Sequence, residues 1–433
     1  MDISIIGAGP SGASFALLMA DLGHKVKLYE KRDDPTVTVH SESKSINLGL
    51  SKRGIETLRA VGLDEAVLET SVTMKGRAIH GGDGAIHFQK YGKSSEEVLH
   101  SIDRNKLSEI LIGKVKQHQN IHVMFNVKLL EVDTGKRVLT LEKDDGSTIS
   151  ESCDLLVGAD GAFSAVRKSI LKGNSVDYSQ EFLDWGYKEL TLKPSFDGSS
   201  KIIQEALHVW PRDQLLIVSH PNQDGSHTLS LFMPLEGEQG FDSIKSEADV
   251  QSLFADYFKD LLPEIDEITK EWFEKPVGKL VNISTSAWYH EDWVVLIGDA
   301  CHAQYPFYGQ GMNSSLEDCK LLTSCIEGNT HDIGAALKQF KSVRKPQIDV
   351  LQSLSKANFI ELKNKVNNRW FNFFKKTDYW LGYFAPQLWK PLYTMIAHTT
   401  IPYDQAIAMH KKQRVTALSV AGVALIAVAW VLI

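Results

Sequence analysis

Cysteine is scarce in this chain of 433 residues. The four present (Cys153, Cys301, Cys319 and Cys325) form no CxxC pair and no zinc-like set with histidine. No disulfide framework and no metal site are therefore expected, and reduced thiols in a reducing compartment fit better. Long runs of one charge are missing too. Net charge is −7 and no basic stretch stands out, so nothing recommends nucleic acid as a partner. There is no internal repeat and no low-complexity linker, which argues for interleaved domains rather than domains strung in series. Met1 leads within two residues into the apolar run Ile3-Ser4-Ile5-Ile6, so no signal or transit peptide is expected.

What is present suits a large globular protein of more than one domain, with 43% hydrophobic and 23% charged residues. Ile3 to Ile6 reads as a buried strand, Ser14 to Leu22 has helical spacing, and Lys25 to Tyr29 reads as the next strand. Together they make a βαβ unit with a right-handed crossover, and hence a parallel sheet. Residues 104–117 read as a helix, and 121–150 as strands ending in the hairpin signal Asp145-Gly146. From Tyr178 to Pro234 the pattern changes to long alternating segments, as expected of an antiparallel sheet with one covered face, a roof over a substrate site. Val294 to Ile297 then reads as a buried strand that returns the chain to the first domain, and from about residue 330 the pattern is helical and aromatic-rich.

The expected fold is α/β. A Rossmann-like nucleotide-binding domain takes residues 1–177, with a hairpin near 75–92. An antiparallel-sheet substrate domain takes 178–285, and a return segment of the first domain takes 286–330. A C-terminal helical region at 331–409 precedes a basic flank and anchor at 410–433. The run Val415 to Ile433 is uncharged and almost wholly apolar; as a helix it would span roughly 28 Å, about the thickness of a bilayer core. His410, Lys411, Lys412 and Arg414 precede it, so a transmembrane helix with the catalytic part facing the cytosol is expected. That placement suits a mitochondrial outer membrane in a eukaryote or the inner membrane of a bacterium.

Three stretches carry chemistry. Gly7-Ala8-Gly9-Pro10-Ser11-Gly12 is GxGxxG between a strand and a helix. Gly7 makes the turn, Gly9 lets a pyrophosphate approach the backbone, and Gly12 permits close packing of helix on strand. The helix N-terminus offers N–H groups to the phosphates, and Glu30 ends the second strand where a ribose needs an acceptor. This motif alone does not separate FAD from NAD. In Asp154 to Arg167, Asp160-Gly161 follows a buried strand and enters a helix. In Leu296 to His302, Gly298-Asp299 does the same, followed by Gly309-Gln310-Gly311-Met312-Asn313. A carboxylate at the last strand end can hold ribityl hydroxyls, and the glycine loop can bring N–H groups to a flavin's pyrimidine edge.

These three elements in this order resemble the group A flavoprotein aromatic hydroxylases over about the first 320 residues. No second GxGxxG unit is present for the nicotinamide, as in that family, whose NADPH binds transiently; Gly82-Asp83-Gly84 reads as a hairpin turn instead. Ser45 to Ser51, Lys75-Gly76-Arg77, Tyr91-Gly92 and Pro391 to Met395 are similar to the kynurenine-hydroxylating branch. The resemblance implies flavin contacts at Ser11, Tyr29, Glu30, Lys31, Arg32, Gly49, Arg104, Leu129, Asp299, Met312 and Asn313. It implies substrate contacts at Arg77, Tyr91, Asn358 and Tyr393. Lys44 and Gly49 depart from the pattern, where Arg and Ala are expected, and Tyr308 falls at a variable position. The implied activity is NADPH- and O2-dependent hydroxylation of L-kynurenine through a flavin C4a-hydroperoxide. Two other readings share these features: hydroxylation of another phenolic or quinone-precursor ring, and a non-catalytic membrane-anchored flavin redox sensor.

The substrate residues also make sense chemically. A zwitterionic aryl ketone needs a cation for its carboxylate, and a bidentate Arg serves best. A three-residue loop, Gly82 to Gly84, pairs Lys75 with Tyr91 and places Arg77 diagonally beside Tyr91 on one face; a two-residue loop would put them on opposite faces. Alone, Arg77 would read as a solvated charge on a strand, Tyr91 and Tyr393 as packing, and Asn358 as a surface amide. Phe307 and Tyr308 precede the glycine loop and can wall the reacting ring. Gln310 can orient substrate or peroxide, and His302 reads as a structural hydrogen-bonding residue before a general base. The aromatic stretch Trp370 to Trp389 fits a membrane interface, a core or an active-site cover equally.

Overall fold

The computed structural model describes residues 1–37, 47–92, 96–172, 175–364, 381–382 and 387–432. Lys44, Ser45, Ile46 and most of the stretch Trp370 to Trp389 lie outside the described residues. Two large sheets organise the rest. The first has six strands in the order Tyr289–His290, Val294–Leu296, Leu155–Gly158, Asp2–Ile6, Lys25–Tyr29 and Ile121–Met124, parallel except for the first of them. Layers cover both faces, which is why its central strands are continuous apolar runs rather than alternating ones. The helix Pro10–Asp21 opens within the GxGxxG turn, ahead of the apolar spacing over Ser14 to Leu22. Proline suits the first helical position, since its missing N–H has no intrahelical partner there. This helix is apolar almost all round because the sheet lies on one side and the helices Arg104–Gln117 and Gly311–Gly328 on the others.

The second sheet has seven strands: Gly278–Thr285, Tyr178–Leu192, His227–Pro234, Leu215–Pro221, Ala206–Arg212, Gly76–His80 and Ile86–Lys90. Its last two strands come from the N-terminal part of the chain and join by parallel pairing of Gly76–His80 with Ala206–Arg212. Their register sets Gly76 opposite Lys90 and Arg77 opposite Gln89, and Tyr91 N–H donates to Lys75 O at 3.1 Å. This is the three-residue-loop register. The alternation over 178–234 suggested one covered face, but both are covered. Leu190, Trp210, Ile217, Leu231 and Met233 pack under the helices Glu247–Tyr257 and Ile265–Glu274, while Trp185, Leu216 and Phe232 face Tyr305 and Phe359. The helix Glu247–Tyr257 is anchored by a capping box between Ser246 and Asp249. A three-stranded sheet (Val127–Asp133, Val138–Lys143, Thr148–Ser152) carries the Asp145-Gly146 hairpin on the first domain.

The C-terminal part comprises the long helix Ile333–Asn364, the short helix Leu392–Ala397 and the terminal helix Tyr403–Leu432. Here the expected transmembrane helix is corrected. Among the described residues no helix is long and apolar enough to cross a membrane. The helix that contains the apolar run begins at Tyr403, well before it, and its first turns belong to the globular body: Tyr403 and Ala406 are fully buried in the main core. The following turns carry Lys411, Lys412 and Arg414. Membrane attachment through this helix is accordingly not supported.

Two histidines lie wholly inside the second sheet. His208 sits 2.8 Å from His80 through Nδ1 and from Ile203 O through Nε2; His227 sits between Ser219 and Ser200. Burial lowers both imidazoles from an ordinary value near 6.5, His208 to about 4 and His227 to about 3. The unfolded chain therefore takes up protons that the folded one refuses. Stability is full above about pH 6.5 and falls toward pH 4, each histidine contributing a slope of about 1.4 kcal/mol per pH unit. Thermal unfolding followed from pH 7.5 to 4.5 should show this decline, flatter in His227→Asn; parallel curves for the two proteins would contradict it.

Candidate active site

The three glycine-and-acid turns leave adjacent parallel strands at the same level. Ile6 pairs with Gly158 and Gly158 with Leu296, so Gly7, Ala159-Asp160 and Gly298-Asp299 follow side by side. This is the C-terminal edge of a parallel sheet, where open α/β folds bind ligands. Gly7 has φ +101°, and a Cβ there would lie 2.4 Å from Ala159 O. A Cβ on Gly12 would lie 1.9 Å from Gly7 O, so the helix can approach its turn this closely only with glycine at that position. Arg167 ties the second turn to the third, donating to Ala162 O at 2.6 Å and to Ala300 O at 2.7 Å.

The acids differ in what holds them. Glu30 is buried and accepts from Ala8 N–H at 2.9 Å, Arg32 N–H at 3.1 Å and Arg32 Nε at 2.9 Å. Burial alone would push its carboxyl up, but these bonds and the Arg32 charge hold it below its ordinary value. Asp160 Oδ2 accepts from Ala165 and Val166 N–H, while its Oδ1 is buried with no hydrogen-bond partner. Asp299 keeps accessible surface, yet burial by the surrounding chain raises its carboxyl, opposed by His302 and Arg104 and assisted by Asp318.

The other cofactor candidates distribute around this edge. Tyr29 is fully buried in the core and its backbone O accepts from Gly7 N–H at 2.8 Å, so it supports the turn from behind. Leu129 is likewise a core residue, whereas Lys31 and Arg104 are exposed. Asn313 donates to Gly49 O at 2.9 Å and accepts from Ser51 N–H at 2.8 Å, pinning the strand Asn47–Leu50 to the start of the helix Gly311–Gly328. Met312 packs half-buried against the core beside Gly311, the first residue of that helix. Three features fit FAD. No side chain caps the helix at Ser11 or the helix at Gly311, Gly9 has open space where a Cβ would point, and Asp160 Oδ1 lacks a donor.

Of the substrate candidates, Arg77, Tyr91 and Tyr393 gather near the edge of the second sheet, whereas Phe307 and Asn358 belong to a separate aromatic cluster on its face. The Arg77 guanidinium lies 4.4 Å from the Tyr393 ring centre and 5.6 Å from that of Tyr91, whose rings are 5.9 Å apart. Arg77 Nε and Tyr91 OH are shielded from solvent without a hydrogen-bond partner. Tyr308, 6.0 Å from the Tyr393 ring, links this group to the glycine loop. Phe307 stacks near Phe359 (4.8 Å) and Phe232 (5.4 Å), forming an aromatic wall. Asn358 donates to Phe307 O at 2.6 Å and so holds that wall. The buried Gln310 faces Ser51 and Tyr403 through Oε1. His302 is buried and bonded to Asp318 at 2.6 Å.

A buried charge network escaped the sequence reading. Arg344 bonds Asp318 (2.7 Å), Glu317 (2.8 Å) and Ser314 O (2.8 Å); Arg53 bonds Glu317 (2.6 Å) and the Ile396 and Ile401 carbonyls. Asp318 also receives Gly298 N–H at 2.9 Å. Burial would raise its carboxyl, but His302 and Arg344 outweigh that and keep it low. Arg53 lies hundreds of residues from its partners, and Arg344 sits on the next helix after Glu317 and Asp318 at no helical spacing from them, so no local signal announces the network. His398 beside Tyr91, and His220 beside Gly49, were also passed over for lack of any motif.

Over residues 1–332 the chain matches the family described as FAD binding domain. A kynurenine 3-monooxygenase of Salinispora arenicola is 43% identical over 415 residues, covering 95% of this chain and 91% of that one. A kynurenine 3-monooxygenase of Salinispora tropica is 41% identical over 429 residues, covering 98% and 94%. The solved structure of 2-methyl-3-hydroxypyridine-5-carboxylic acid oxygenase shares the fold, with a TM-score of 0.67 at 22% identity over 84% of this chain and 93% of that one.

Because removing one member of a buried ion network leaves uncompensated charge, Arg344→Ala should cost about 3–5 kcal/mol of stability. Chemical denaturation of the flavin-loaded protein measures this. A cost within about 1 kcal/mol, typical of an exposed pair, would mean the network does not hold the fold.

Proposed function

The chain belongs to the kynurenine 3-monooxygenase family of FAD-binding proteins, and on that footing we propose that it hydroxylates L-kynurenine to 3-hydroxykynurenine at the expense of NADPH and O2. The observation that carries the reading is Arg77: a shielded cation framed by Tyr91 and Tyr393, with no acid among the described residues bonded to it, and with Tyr308 beside Tyr393 just before the glycine loop. A shielded guanidinium without a carboxylate is costly unless a ligand supplies one.

When bound, FAD accepts a hydride from NADPH and activates dioxygen for transfer of one oxygen atom to the aromatic ring. Glu30 would accept from the ribose hydroxyls of the bound cofactor, and the N-termini at Ser11 and Gly311 would receive its pyrophosphate and the pyrimidine edge of its isoalloxazine. Asp299 is placed to accept from ribityl hydroxyls. Arg77 takes the substrate carboxylate in a bidentate grip, with the Tyr91 and Tyr393 hydroxyls beside it. That fixes one end of the substrate, so the anilino ring extends toward Phe307 and Tyr308. Phe307, Phe232 and Phe359 exclude water from the reacting carbon. Asn358 acts through Phe307, holding the wall in place.

In stopped-flow mixing with NADPH, L-kynurenine should accelerate flavin reduction and yield stoichiometric 3-hydroxykynurenine on reoxidation. Equal reduction rates with and without kynurenine would overturn the proposal. Arg77→Ala should weaken kynurenine binding on the order of a hundredfold while retaining bound FAD. Loss of FAD together with kynurenine would assign Arg77 to the fold instead.

A further inference from the structure

His398 follows the short helix Leu392–Ala397 and is only 7% exposed. Its ring lies 5.6 Å from that of Tyr91 and 6.1 Å from that of Tyr393, the two rings that frame Arg77. Neither ring nitrogen has a partner at hydrogen-bond geometry. A buried imidazole without partners is unfavourable by itself, since each polar nitrogen has lost its water. Burial chiefly, and the nearby Arg77 charge, lower its pKa to about 4 against the opposing pull of Glu97 and of the Val98 carbonyl, which lies near the ring but outside hydrogen-bond geometry. The ring is therefore neutral at physiological pH, with one N–H to donate and one lone pair to offer. The Glu97 carboxylate folds over the backbone next to Tyr91, where a Cβ on Gly92 would lie 2.0 Å from Glu97 Oε2.

An α-amino acid presents a carboxylate and an ammonium group on the same carbon. With the carboxylate on Arg77, the ammonium cannot face the same guanidinium. It needs an acceptor close by and negative charge behind it. We propose that His398 accepts a hydrogen bond from the substrate's α-ammonium group, with Glu97 supplying the balancing charge, so that the site selects an α-amino acid over a simple carboxylate. This rests on the reading of Arg77 as the carboxylate anchor and extends it to the other half of the zwitterion. Discrimination of this kind is strong because a ligand lacking the ammonium leaves a buried acceptor unpaired.

The test uses the flavin-loaded protein and two ligands: L-kynurenine, and the same aryl keto acid with hydrogen in place of the α-amino group. Binding is read from the change in the flavin spectrum. His398→Phe, which keeps the packing but removes the acceptor, should weaken kynurenine by about tenfold or more and leave the deaminated ligand within about twofold. His398→Gln, which restores an acceptor, should recover part of the loss. Equal weakening of both ligands, or of neither, overturns the proposal. Should His398→Phe fail to retain flavin, Glu97→Gln asks the same question: kynurenine alone must weaken. If the unmodified protein binds neither ligand, the fault lies in the kynurenine reading itself, and this inference falls with it.

Discussion

Two buried guanidinium groups, a buried carboxylate and a half-buried one hold this molecule's working parts in register. Arg344 and Arg53 are fully buried, as is Asp318, and Glu317 bridges the two arginines. Burying such charges is expensive, and the arrangement persists because every ion has an opposite partner and the three fully buried ones have further carbonyl or N–H contacts. Its importance lies in what it joins. Asp318 holds Gly298 and His302 at the third turn. Arg344 brings in the long helix Ile333–Asn364, and Arg53 grips the carbonyls of Ile396 and Ile401. Tyr403 lies 4.0 Å from the Arg53 guanidinium and 5.5 Å from that of Arg344. The segment carrying Tyr393 and His398 is thus tied to the flavin-side turn through charge rather than through apolar contact alone.

From that clamp the division of labour follows. Strand ends and helix starts of the first sheet supply backbone donors and acids, which suit a nucleotide and a ring system that gains negative charge. The second sheet turns an aromatic face to the same space and contributes Arg77 through a hairpin inserted along its edge. Between Arg77 and the glycine loop the side chains that touch are aromatic: Tyr393, Tyr308, and Phe307 with Phe232 and Phe359. Such a distribution favours a flat aromatic ligand with a charged tail, held at the tail and desolvated at the ring.

Much of this was legible in the sequence where the signal is local. The GxGxxG turn, Glu30 and the two later acid–glycine turns declared themselves because glycine and carboxylate chemistry at a strand end leaves few alternatives. The hairpin register followed from loop length, which decides the face shared by Arg77 and Tyr91. The helical spacing over Ser14 to Leu22 marks the buried face, and the motif that opens the helix places its first turn at Pro10. The sheet over 178–234 was given one covered face because its two helices come later in the chain. The terminal apolar run was read as a membrane span by length and composition alone, without the packing of Tyr403 and Ala406 that draws the helix's beginning into the core. Arg344, Glu317, Asp318 and Arg53 lay beyond reach for a different reason: their pairing is set by tertiary structure, and each alone reads as a solvated charge.

The parallel joining of Gly76–His80 to Ala206–Arg212 carries a consequence for the order of events during synthesis. The strand that presents Arg77 leaves the ribosome long before the neighbour that gives it a place in the sheet, and Tyr91 must wait longer still for Tyr393. Such non-local pairing pays its loop-closure entropy late. A nascent chain can therefore assemble the first nucleotide turn early, while competence to recognise a substrate arrives only after nearly the whole polypeptide has emerged.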